Sequence, residues 1–157
     1  MKKGNHRKQQ IEKLILAAYT VQQKAYAPYS GFQIGSAIED ADGKIFTGCN
    51  VENSSYGGTV CAERVAIFKG ISENMKLPIK TVVVVSSTKE KWPPCGLCRQ
   101  VIAEFCDTKT QVIFGNNQKQ FKTIKFHFTI FYNNINQWKI IKIITTIIPP
   151  FQYIKIF

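Results

Sequence analysis

Thr81 to Ser86 reads TVVVVS, six residues with no charge and no break. There is no apolar–polar alternation, so neither face of such a strand can be left to water. An unbroken β-branched run is the mark of a strand covered on both faces, which requires helices on two sides. The rest of the chain supplies them. Ile11, Leu14, Ile15, Ala18 and Val21 recur at helical spacing, and Pro28 follows, so a helix is predicted over Gln10–Ala25. Val60–Ser72 is a second helix, with Ala62, Val65, Ala66 and Ile67 as its buried stripe, and Gly96–Phe105 is a third, set up by Pro93 and Pro94. Phe32–Ile38 and Lys44–Cys49 flank a turn at Ala41-Asp-Gly43 and form a hairpin. Gln111–Phe114 is a short strand. The order α-β-β-α-β-α-β gives the α/β class: a three-layer α/β/α sandwich around a mixed sheet. Asn50–Thr59 is polar and carries glycine, a loop long enough to hold function.

The 157 residues suffice for one domain with a sizeable core. The basic start, MKKGNHRKQQIEK, runs into a helix pattern and not into the apolar region of a signal peptide. Five cysteines at irregular spacing do not pair off. A cytoplasmic protein is expected, with thiols that are reduced or hold metal. The net charge of +11 raises nucleic acid as a partner, but its distribution argues against that. Residues 1–115 carry 15 basic and 10 acidic side chains and no basic aromatic patch, whereas residues 116–157 carry six lysines and no acid.

That last quarter is unlike the rest. Residues 124–157 contain eleven isoleucines but no Ala, Gly, Leu, Val, Ser, Asp, Glu or Arg. Cores need small residues for close approach, and surfaces need acids. The chain therefore divides into a domain over 1–125 and an atypical Ile/Lys/Asn-rich tail over 126–157, read as frame-shifted or read-through translation. The rival is a genuine strand-rich or membrane-attached extension. Its longest apolar run, Ile140–Pro150, is interrupted by Lys142 and too short to span a bilayer, so no membrane partner is expected.

Cys95-Gly-Leu-Cys98 has metal-ligand spacing, yet it offers two ligands where zinc takes four. Alone it reads equally as half a structural site or as a redox pair. No second C-x-x-C exists, and His6 and His127 lie in the basic terminus and in the tail. The remaining cysteines stand singly; Cys49 and Cys106 read as small buried residues. Cys61, in TVCAERVA, opens a helix just as Cys95 and Cys98 do. Helix N-termini favour thiolates. Two such termini meeting on one ion would give three sulfurs and an open fourth position, the pattern of catalytic zinc. Glu63 would then face the water and move its proton, although a first-turn glutamate alone usually just complements the helix dipole. Arg64 and Arg99 would draw off excess negative charge from the sulfurs, unless they are ordinary surface arginines.

C-A-E-R together with P-C-G-x-C-R-Q resembles the cytidine deaminases, and the resemblance extends over roughly residues 10–125. Tyr26-Ala-Pro-Tyr-Ser-Gly-Phe32 with Ile34-Gly-Ser-Ala, and Gly48-Cys-Asn-Val-Glu-Asn53, are similar to further motifs of that family. The small homotetrameric branch, with cysteine as the first ligand, fits best. The resemblance implies one Zn²⁺ per chain on Cys61, Cys95 and Cys98, with Glu63 as the proton carrier. It implies that Asn50 and Glu52 bind the ribose, that Phe32 packs on the base, and that Tyr56 and the Ala62 backbone are close neighbours. The implied reaction converts cytidine and deoxycytidine to uridine and deoxyuridine in pyrimidine salvage. A deaminase of a nucleoside antibiotic is one alternative. A zinc-binding protein with impaired catalysis is another, because the family's chain normally closes on a leucine-proline-aromatic segment that helps complete a neighbouring subunit's site. Ile148-Pro-Pro-Phe151 only faintly resembles it, so the tetramer is expected only if the C-terminus permits.

Overall fold

The computed structural model describes residues 2–126, with side chains from Asn5 onward. Helix α1 spans Lys2–Gln22, β1 Ile34–Glu39 and β2 Ile45–Cys49. A 3₁₀ turn follows at Tyr56–Gly58, then α2 at Ala62–Ser72, β3 at Ile79–Ser86 and α3 at Gly96–Phe105. Strands β4, Cys106–Gly115, and β5, Phe121–Lys125, complete the described chain.

The five strands lie in the order β2-β1-β3-β4-β5. Only β3 and β4 pair in parallel; the other neighbours are antiparallel, so the sheet is mixed as expected. The Thr81–Ser86 run is covered on both faces. Val83 and Val85 pack with Leu14 and Ala18 of α1, while Val82 and Val84 pack with Ala66 and Ile67 of α2 and Ile102 of α3. Successive side chains of a strand point to opposite faces, so one apolar run feeds two cores. The architecture is the three-layer sandwich.

Two glycines fix how closely the helices sit. A Cβ on Gly35 would lie 2.1 Å from the Ala18 carbonyl oxygen, and one on Gly48 would lie 2.4 Å from the Ala66 nitrogen and 2.6 Å from the Ala62 oxygen. Their absence lets α1 rest on β1 and α2 rest on β2. The second contact holds the start of α2 against the sheet, and with it Cys61 and Glu63.

The largest departures from the expected elements are two early starts and one additional strand. Helix α1 begins near the start of the described chain, because Arg7 reaches back over the sheet end to Glu39 at 2.6 Å and gives the polar first turns an anchor. Strand β4 starts at Cys106, five residues before the expected Gln111. Strand β5 was not anticipated: FKTIK carries two lysines, which suit an edge strand and mask its pattern. The divergent tail beyond Phe126, His127 included, lies outside the described residues. Among those described, no helix is long and apolar enough to cross a membrane.

Candidate metal and active site

Two helices begin at the same place. Cys61 is the N-cap of α2 and Cys95 the N-cap of α3, each with extended backbone and neither spending its side chain on a capping bond. Their carbonyls accept the first helical bonds, from Val65 at 3.2 Å and Arg99 at 2.9 Å. Cys98, in the first turn of α3, is fully buried. The three sulfurs lie within 4.8 Å of one another, and those of Cys61 and Cys95 are 3.9 Å apart. Tetrahedral zinc with Zn–S bonds of about 2.3 Å needs sulfurs about 3.8 Å apart, so the set fits that ion. No fourth ligand joins the group among the described residues, which leaves one position for a non-protein ligand.

The electrostatics agree with such a role. The hydrogen bond with Cys98 is the main cause that lowers the Cys61 thiol to about 5; burial opposes it, and Arg64 and Cys95 add to it. Cys98 is pushed up, first by that same bond and then by burial. A lowered thiol beside a buried one is a place where a divalent cation can replace a proton. Arg64 donates to the Thr59 carbonyl at 2.9 Å and lies 3.9 Å from the Cys61 sulfur. Arg99, half-buried, follows Cys98 directly on α3.

Glu63 is 3 % exposed and sits in the first turn of α2, beside the thiols. Burial pushes its carboxyl up to about 7; its own N–H opposes the rise, and the Cys61 thiolate adds to it. A carboxyl with a pKa near neutrality can both take and give a proton at physiological pH.

A cavity of about 240 Å³ opens over these groups. Ser30, Asn50, Glu52, Thr59, Cys61, Glu63 and Cys95 bring polar atoms to it, and Phe32, Ile34, Val84, Trp92 and Pro93 form the apolar walls. The segment after β2 is pinned by the reciprocal bonds of Val51 with Val60, at 2.9 and 3.0 Å. Asn50 and Glu52 therefore both face the cavity while Val51 is exposed, the alternation expected of extended chain. Asn50 accepts from the Ile34 N–H at 2.8 Å and donates to the Phe32 carbonyl at 2.9 Å, which leaves it one N–H and one lone pair. Glu52 accepts from the Ser30 hydroxyl and from the N–H groups of Tyr29 and Ser30. The Ser30 hydroxyl is the main cause that holds its carboxylate below the usual range. Ala62 opens α2, where the first N–H groups have no intrahelical acceptor, and its methyl is buried.

Tyr56, on the 3₁₀ turn Tyr56–Gly58, lies 88 % exposed and outside the cavity lining. Thr59, Trp92 and Pro93 were not anticipated, and only the proximity of Pro93 to Cys95 hinted at one of them. A larger cavity, about 790 Å³, lies at the opposite ends of β1 and β3. It contains none of the three thiols.

Residues 8–115 match the protein family described as "Cytidine and deoxycytidylate deaminase zinc-binding region". The chain belongs to this family. Among its relatives in that family, the "Cytidine deaminase" of Halalkalibacterium halodurans is 47 % identical over 71 % of this chain and 83 % of its own. The "Probable cytidine deaminase" of Dictyostelium discoideum is 53 % identical over 63 % of this chain and 67 % of its own. The crystal structure of cytidine deaminase from Burkholderia pseudomallei superposes with a TM-score of 0.69 at 41 % identity, covering 73 % of this chain and 91 % of that one. The sandwich, the three-thiol group and the family's zinc-binding region thus coincide on one stretch of sequence.

Proposed function

We propose that this chain catalyses the zinc-dependent hydrolytic deamination of cytidine and deoxycytidine to uridine and deoxyuridine. The observation that carries the reading is a buried glutamate, poised near neutrality, beside three converging thiols at the floor of a small cavity. Cys61, Cys95 and Cys98 would hold the metal. When bound, zinc lowers the pKa of water toward neutrality and makes it nucleophilic. Glu63 would accept one proton from the attacking water and deliver it to ring atom N3. It then carries the second proton to the departing amino group, so oxygen adds at C4 and ammonia leaves. Arg64, and with it Arg99, offsets the negative charge of three thiolates.

The free N–H of Asn50 and the remaining acceptor capacity of Glu52 suit the ribose hydroxyls, and Phe32 offers its face to the base. A pocket with such fixed polar groups disfavours a substrate that leaves them unpaired. Cytidine is therefore expected to be turned over far more efficiently than cytosine. Ammonia release from equal concentrations of the two tests this, and equal efficiency contradicts the ribose roles. The relatives named as cytidine deaminases, and the small cavity, favour a nucleoside over a polynucleotide. Pyrimidine salvage and a cytoplasmic location belong to the same proposal, supported by a nucleoside substrate. A homotetramer is the assembly we propose, supported by the exposed apolar side chains Val51, Tyr56, Phe68 and Ile71. Sedimentation of the full chain tests it, and a monomer at micromolar concentration contradicts it.

A further inference from the structure

Trp92 stands three residues before Cys95, and its ring helps to line the cavity. It packs on Phe32, with ring centroids 5.9 Å apart and planes inclined by 41°. Both rings remain 46 % exposed, so neither belongs to a sealed core. The indole is not loosely placed. Its Nε1 donates to the Thr88 hydroxyl at 2.8 Å, and Thr88 in turn is 3.1 Å from the Ser86 hydroxyl at the end of β3. Ser86 also donates to the Glu90 carbonyl at 2.9 Å, so the segment between β3 and α3 is tied to itself and holds the ring at the cavity mouth.

We infer that Trp92 is a substrate-binding residue, its indole extending Phe32 into one aromatic surface against which the pyrimidine ring rests. The inference builds on the deaminase reading above. An indole whose polar edge is satisfied on the protein side presents its apolar face outward. Ile34, Val84 and Pro93 continue that apolar wall, while Asn50, Glu52 and Glu63 supply the polar contacts. A flat base with polar edges matches such a division. Stacking on a pre-positioned ring contributes to binding in ground state and transition state alike, so its loss raises KM and leaves kcat nearly unchanged.

Two measurements on the zinc-loaded full chain test the inference. The first compares steady-state deamination of cytidine by wild type, Trp92→Leu and Trp92→Phe, with zinc content and melting temperature recorded for each. Trp92→Leu is expected to raise KM roughly tenfold with kcat within about twofold, and Trp92→Phe to recover most of the loss. The second uses a Trp138→Phe background, in which Trp92 is the only indole. Uridine is expected to change its emission saturably. An unchanged KM in Trp92→Leu overturns the inference. So does equal damage in both variants accompanied by a lower melting temperature, or emission that is indifferent to millimolar uridine. If wild type fails to deaminate cytidine while uridine still saturates the emission change, the reaction is wrong and the aromatic surface stands.

Discussion

At one end of β1 and β3, Arg7 donates to Glu39 at 2.6 Å, to Thr81 at 2.5 Å and to Gln111 at 3.2 Å, and Thr81 donates to Glu39 at 2.7 Å. At the other end, Glu63 lies buried among thiols, with its pKa raised by burial. Both ends hold a buried carboxylate beside a cavity, and the larger cavity belongs to the first. The difference is in completion. Glu39 has a cation and a hydroxyl, and its site needs nothing more. The thiol end carries a thiol lowered to about 5 and a carboxyl raised to about 7, and it is completed only by a metal and a substrate. Cavity size does not mark function here; unspent bonding capacity does.

Removing a ligand from the incomplete end should have the largest effect. Cys98→Ala is expected to lose the bound zinc and all measurable deamination, and to melt at a lower temperature than the zinc-loaded wild type. Metal analysis and calorimetry check this together. Retention of one tightly held zinc per chain would show that the three-thiol group is not the metal site.

At the completed end the expected effect is on stability alone. Arg7→Ala leaves Glu39 buried with Thr81 as its donor, at a cost of about 1–3 kcal/mol, which lowers the melting temperature by several degrees. The guanidinium is 37 % exposed, so the lower half of that range is favoured. The kcat/KM of the folded fraction should stay within about twofold. A large loss of activity at unchanged stability would mean that the two ends are coupled.

How far the sequence disclosed this contrast depends on the spacing of the signals. Cys61, Glu63, Cys95 and Cys98 were legible because each opens a helix, where a thiolate or carboxylate has a physical reason to be. TVVVVS disclosed the layers because no alternation means two covered faces. Arg7 was not legible, since its partners are 32, 74 and 104 residues away. Strand β5 escaped because an edge strand tolerates lysines. Trp92 escaped because its significance lies in a ring contact 60 positions distant, which no local pattern reports.

The smallest effect lies in the turn between β1 and β2. Burial alone would raise the Asp40 pKa, but the N–H groups of Lys76, Lys44, Asp42 and Gly43 outweigh it and hold the carboxylate below its ordinary 3.8. A depressed folded pKa gives stability that is present above the unfolded value and lost as pH falls through the folded one. Wild type should therefore lose more stability than Asp40→Asn as pH falls from about 5 through the range of carboxyl titration. Denaturant melts at several pH values check the slope. Parallel curves for the two proteins would show that the turn contributes nothing through ionisation.

The central claim is that chemistry resides with the incomplete carboxylate. The most direct test is ammonia release from cytidine by wild type and Glu63→Gln at equal zinc content. Glu63→Gln keeps the shape of the side chain and removes its proton transfer. The account predicts an active wild type and a loss of about 10²–10⁴-fold in kcat, with one zinc per chain in both. A zinc-loaded wild type that releases no ammonia, or a Glu63→Gln protein that matches it, contradicts the account.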